Sequence, residues 1–172
     1  MEKVYSLNLT QIKAYVFAAL FVAGNLVLPF AIHHLPAIGG YSQGLMWLPI
    51  YFFTLVAAYK FGWQVGLLTA VLSPVINCLL FGIPMSAMLP AILVKSVLLA
   101  VAAAFFAQKA GKVALWAILA SILAYQFIGT GIEFFINDMN FNAAIVDFRF
   151  GFPGMLLQLF GGYLVLKAMR TI

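Results

Sequence analysis

Long apolar stretches separated by short polar breaks make up almost the whole chain. They predict six helices: Thr10–Ile32, Leu45–Tyr59, Trp63–Phe81, Ser86–Gln108, Val113–Ile136 and Gly151–Met169. The breaks carry turn chemistry. His33-His34-Leu35-Pro36 and Gly39-Gly40 close the first helix, Lys60-Phe61-Gly62 joins the second to the third, and Gly82-Ile83-Pro84 closes the third. Lys109-Ala110-Gly111-Lys112 makes the next tight turn, and a polar stretch from Asn137 to Phe150 precedes the last helix, whose first turn tolerates Pro153. A perpendicular span needs about 20 residues, so Leu45–Tyr59 is short and either begins earlier or is covered by its neighbours. The pattern therefore predicts an all-α integral membrane protein of six transmembrane helices, one domain over residues 1–172.

Charge sharpens this reading. On a six-span layout Lys3, Lys13, Lys60, Lys109, Lys112, Lys167 and Arg170 all fall on one side, and only Arg149 on the other. Lysine and arginine near helix ends are retained in the cytoplasm, so both termini are expected there. The net charge of +5 does not point to nucleic acid, because the basic residues stand singly at helix ends rather than on one face. Only 8% of the residues are charged, against about 25% in an ordinary soluble domain. No signal peptide is expected, because Leu9 to Ala31 is too long for a signal core and no small-residue cleavage site with a soluble domain follows it.

Lys95 remains, well inside the fourth helix. An ionisable residue at such depth marks a functional site by default and needs a partner, either a ligand or Glu133 near the outer end of the fifth helix. Asn77, Gln126 and Gln158 are further intramembrane polar candidates, each equally able to bond across to another helix. Pro74 frees a backbone carbonyl one turn upstream that something must satisfy. These groups gather toward the outer half of the predicted bundle.

Catalytic patterns are missing: no HExxH, no CxxC and no glycine-rich phosphate loop. No catalytic or metal-ligating residue is assigned. His33 and His34 are neighbours at a helix end with no third ligand close in sequence, and Cys78 is a single packed thiol. The first helix carries two small-residue pairs, Ala14/Ala18 and Ala19/Ala23, each of which lets another helix approach closely.

The stretch from Leu48-Pro49 through Gly66, Leu72-Ser73-Pro74 and Phe81-Gly82-Ile83-Pro84 to Leu89-Pro90 resembles a motif pattern of the S components of energy-coupling factor (ECF) vitamin transporters. Size, six-helix layout and the helix-1 alanines are similar too. The resemblance implies a high-affinity substrate-binding subunit, not an enzyme, in the bacterial cytoplasmic membrane. It implies a vitamin-like ligand beneath the loops, a transmembrane coupling subunit that docks on Ala14/Ala18 or Ala19/Ala23, and two ATPase subunits. It implies no cofactor. In that frame Lys95, Asn77, Gln126, Glu133 and Gln158 line the ligand site, with Arg149 and Tyr41 from the lid loops. The buried ammonium leads us to expect an acidic group on the ligand. A membrane scaffold resembling the six-helix rod-shape morphogenesis protein is the alternative; an intramembrane enzyme is disfavoured.

Overall fold

The computed structural model describes residues 6–136 and 139–169. Lys3, Arg170, Asn137 and both termini, which entered the charge reading, lie outside the described residues. The described chain is helical, with a single isolated bridge between Ile38 and Tyr41 in place of any strand. The helices are α1 Ile12–His33, α2 Gln43–Trp47, α3 Phe52–Phe61, α4 Trp63–Phe81, α5 Leu89–Ala110, α6 Leu115–Ile136, α7 Phe141–Ala144, α8 Val146–Phe150, α9 Phe152–Leu156 and α10 Gly162–Ala168. Four segments are long and apolar enough to cross a membrane, those containing α1, α4, α5 and α6. Pro49–Phe61 and Phe152–Ala168 are shorter apolar helices. This agrees with a multi-pass helical membrane protein.

α3 is the axis of the bundle. It packs against α1, α4 and α5, and Leu55, Val56, Ala57, Ala58 and Tyr59 are wholly buried. A helix apolar on every face belongs inside, which explains why it can be short. Its neighbours come close because small side chains face it: Ala100, Ala103 and Ala107 on α5 are fully buried. Large side chains such as Val27, Leu79, Phe105, Phe127 and Leu164 point outward.

Two of the expected helices are broken. The stretch expected as Leu45–Tyr59 starts as α2 and is interrupted at Leu48, which takes a left-handed conformation (φ 45°) before a 3₁₀ turn at Pro49–Tyr51. Proline disfavours the helical conformation in the residue before it, and a left-handed leucine costs roughly 1–2 kcal/mol, which surrounding contacts must offset. Gly154 supplies such contacts: a Cβ there would lie 2.4 Å from the Trp47 carbonyl carbon and oxygen, so only glycine lets α9 reach the break. The expected Gly151–Met169 helix divides into α9, a π-helical turn at Leu157–Gly161 and α10, with Pro153 in the first turn as expected.

Three helices are joined by a polar cluster built around Pro29. Within α1, Pro29 cannot donate to the carbonyl of Asn25 one turn earlier. The Asn77 Nδ2 of α4 donates to that carbonyl instead, at 2.7 Å, and also reaches Ser73 O at 3.0 Å. Asn25 Nδ2 in turn donates to Thr54 Oγ1 and Ser73 Oγ, and its Oδ1 accepts from the Phe53 amide at the start of α3. Every side chain in the cluster is buried.

The two ends of the bundle differ. At one end the connections are tight and stapled: Tyr59 Oη donates to Lys112 O, Ala114 N donates to Tyr59 Oη, and Leu7 N donates to Phe61 O. Lys60, expected in the tight turn between the second and third helices, is 2% exposed, and its Nζ donates to Met169 O at 2.7 Å, capping the last helix. Lys109 and Lys112 of the next turn are exposed as expected. At the other end lie the longer connections between α1 and α2, α4 and α5, and α6 and α9.

Because Asn77 fills the carbonyl that Pro29 leaves open, Asn77→Leu is expected to lower stability by about 1–3 kcal/mol, the cost of orphaning a buried polar group. Thermal unfolding in detergent measures it; an unchanged midpoint would mean that the cluster does not join the helices.

Candidate functional site

The end with the longer connections holds a cavity of about 330 Å³, within the usual range of small-molecule sites. Its walls come from the last turn of α1 (Pro29, His33), the broken segment from Ser42 to Tyr51, the loop from Gly82 to Met88, and the start of α5. Most of the lining is apolar: Leu45, Ile50, Ile83, Met85 and Met88 are representative. Glu133 of α6 and Asp147 of α8 supply its charge, and Tyr51 and Ser42 supply hydroxyls.

Lys95 stands behind those carboxylates. It is 1% exposed and does not line the cavity. Its Nζ forms an ion pair with Glu133 Oε2 and donates to Asp147 Oδ2 at 2.8 Å. Both carboxylates keep partial exposure, 14% and 16%. A buried ammonium persists only when it is paired and hydrogen-bonded, and removing one partner of such a pair typically costs about 3–5 kcal/mol. The cluster therefore ties α5, α6 and α8 together at the cavity floor. With both carboxylates ionised it carries one net negative charge.

Gly129 makes this geometry possible. A Cβ there would lie 2.6 Å from Lys95 Cγ, so the lysine stem occupies the space that glycine leaves on α6. The buried face of α6 runs Tyr125, Gln126, Gly129 and, one turn on, Glu133, which aligns the glycine that admits the lysine with the acid that pairs it.

The expected ligand residues divide into separate groups. Lys95 and Glu133 meet, and Glu133 faces the cavity. The expectation that the Lys95 ammonium is open to an acidic ligand group does not fit, because two carboxylates already hold it. Asn77 belongs to the Pro29 cluster, away from the cavity walls. Gln158, in the π-helical turn, accepts from Tyr125 Oη at 3.1 Å. Gln126 is fully buried, and neither end of its amide is hydrogen-bonded among the described residues. Neither glutamine lines the cavity. Tyr41 and Arg149 come together through a third residue: Tyr41 stacks on Phe150 with centroids 4.0 Å apart, and the Arg149 guanidinium sits 5.2 Å from the centre of the same ring. This clasp joins the α1–α2 connection to the segment leading into α9.

His33 and His34 each place Nδ1 on a carbonyl of α1 itself, Pro29 O and Phe30 O. Among the described residues no three His, Cys, Asp or Glu side chains group to hold a metal. The alanine pairs of α1 point in different directions. Ala14 and Ala18 are buried in the core on the same stripe as Asn25 and Pro29, so their small size serves internal packing. Ala19 and Ala23 are exposed.

No family model, curated protein or solved structure matches this chain.

Sequence reasoning missed Asp147, Tyr51, Phe150 and Asn25. A signal existed for Asp147: the chain has only four acidic residues, and a buried lysine must draw on them. Tyr51 looked like one more aromatic of an apolar helix. It is 1% exposed, lines the cavity, and its hydroxyl has no hydrogen-bond partner among the described residues.

Gly129→Ala is expected to push the Lys95 stem aside and to destabilise the protein by about 1–3 kcal/mol, as overpacking does. Gly131→Ala on the same helix, where a Cβ meets nothing within 4 Å, serves as the control. Equal unfolding midpoints for the two variants would show that the glycine is not what admits the lysine.

Proposed function

We propose that this chain is the substrate-binding membrane subunit of an importer, of the type of the ECF S components, and that it captures a small vitamin-like molecule in the cavity. In this reading the protein crosses a bacterial cytoplasmic membrane six times. The stapled end with Lys109 and Lys112 is cytoplasmic, as the distribution of basic residues favours. The cavity opens outward beneath the Tyr41–Phe150 clasp. A transmembrane coupling subunit and two ATPase subunits supply the energy.

One observation carries the reading: an apolar cavity of ligand size at one end of a membrane bundle, with two carboxylates and an unpartnered buried hydroxyl in its walls. Apolar walls with a few convergent polar groups are what small-molecule sites consist of. A scaffold of the rod-shape morphogenesis type has no use for such a cavity. The resemblance of the Leu48-Pro49 to Leu89-Pro90 stretch to S components supports the same reading.

The exposed Ala19/Ala23 pair is the docking strip, and the outward residues Tyr15, Val16, Leu20 and Val27 extend the apolar surface around it. Mass spectrometry of molecules released from the purified protein is expected to reveal one small polar compound in stoichiometric amount. Ala19→Leu is expected to retain that compound while uptake of it in cells falls at least about tenfold, because the change obstructs helix approach outside the cavity. Ala14→Leu is expected to lower stability instead, through overpacking of the core. A preparation that releases and binds no small molecule would favour the scaffold. Full uptake by the Ala19→Leu variant would remove the docking assignment.

A further inference from the structure

The cavity assigns a charge to what it binds. Among the described residues two carboxylates, Glu133 and Asp147, line it, and no lysine or arginine does. Lys95, paired with both, lies on the protein side, 1% exposed, and neutralises one of the two. An arriving cation would complete a cluster of two negative and two positive charges. An arriving anion would add a third negative charge to a site walled by apolar side chains, where solvent screening is weak. Arg149, the other basic side chain of this end, is drawn onto the Phe150 ring.

Neutral groups agree. Tyr51 lines the cavity, and its hydroxyl is buried with no hydrogen-bond partner among the described residues. His33 lines the cavity with Nδ1 on the Pro29 carbonyl, so Nδ1 donates and Nε2 of the neutral ring is left an acceptor. Carboxylate oxygens, a hydroxyl that accepts as well as donates, and an imidazole lone pair together suit a group rich in N–H donors. Ile50, Ile83, Met85 and Met88 suit an apolar or aromatic body. The geometry points to a ligand that carries a positively charged nitrogen, an amine, an amidine or a cationic heteroaromatic ring, seated against Glu133 and Asp147 with its body between Tyr51 and the methionines. This assignment rests on the small-molecule reading above and names the ligand class for it.

The test uses the purified full chain in detergent. A small-molecule extract of cells is split at neutral pH on a cation exchanger and an anion exchanger, and each fraction is scored by the rise in unfolding temperature it produces. The compound retained by the cation exchanger is expected to raise the midpoint by several degrees, since a ligand that binds only the folded state stabilises it by mass action. Glu133→Gln and Asp147→Asn are each expected to weaken its binding about tenfold or more. Those changes also disturb Lys95, so Tyr51→Phe supplies the second measurement. The hydroxyl is unpartnered without ligand, so its loss is expected to leave the ligand-free midpoint unchanged or higher while weakening binding about three- to tenfold. A stabilising compound that the anion exchanger retains, or that passes both columns, overturns the charge assignment and leaves the small-molecule reading standing. Stabilisation by no fraction at all overturns both. Unweakened binding in all three variants would place the ligand elsewhere.

Discussion

The Lys95 ammonium, buried in an apolar bundle, constrains everything around it. Lys95 sits where water cannot solvate it, so the fold must bring it opposite charge and hydrogen-bond acceptors. Glu133 comes from the adjacent long helix, on the face that also carries the glycine needed to admit the lysine stem. Asp147 comes from far along the chain, on the short helix that also carries Phe150 of the clasp. Meeting the lysine's requirement, together with the Tyr41–Phe150 clasp, holds the segment after α6 over the end of the bundle. The carboxylate surfaces turned away from the lysine become the charged part of the cavity.

Interrupted helices supply the rest of the site. In lipid, irregular backbone survives only where protein buries it or where it lines a cavity. The break at Leu48-Pro49 does both: Gly154 packs on it from α9, and its residues line the cavity wall. Pro29 interrupts the hydrogen bonding of α1 in the same way. The donor it removes is replaced by Asn77, so the helix end that carries His33 into the cavity stays tied to α3 and α4. Breaks in helices, each compensated by one specific contact, shape one end of the bundle, while tight turns and short staples close the other.

Hydropathy alone showed where the long helices lie, and Trp63–Phe81 has the same bounds in pattern and structure. It did not show that two stretches are broken, because Leu48 and the π-helical turn at Leu157–Gly161 lie within stretches whose overall hydropathy is that of a continuous helix. The Lys95–Glu133 pair was visible as one of two alternatives, since a buried lysine demands a partner. Asp147 was not, because its approach depends on how the loop folds back, a long-range contact that no local pattern records. For the alanines a signal existed in the sequence: Ala14 and Ala18 share a helical face with Asn25 and Pro29, and a polar residue inside a membrane helix faces protein rather than lipid. Ala19 and Ala23, rotated away from that face, were the better candidates for an outer surface.

The account stands or falls on the ion pair between α5 and the loop helix α8. A double-mutant cycle of Lys95→Met and Asp147→Asn, followed by reversible unfolding in detergent, measures it without assuming a ligand. We predict a coupling energy of at least about 1.5 kcal/mol, the lower range for hydrogen bonds to charged groups. Additive effects, with a coupling within about 0.3–0.5 kcal/mol of zero, would mean that Asp147 does not meet Lys95, and the cavity would lose the contact that forms its floor.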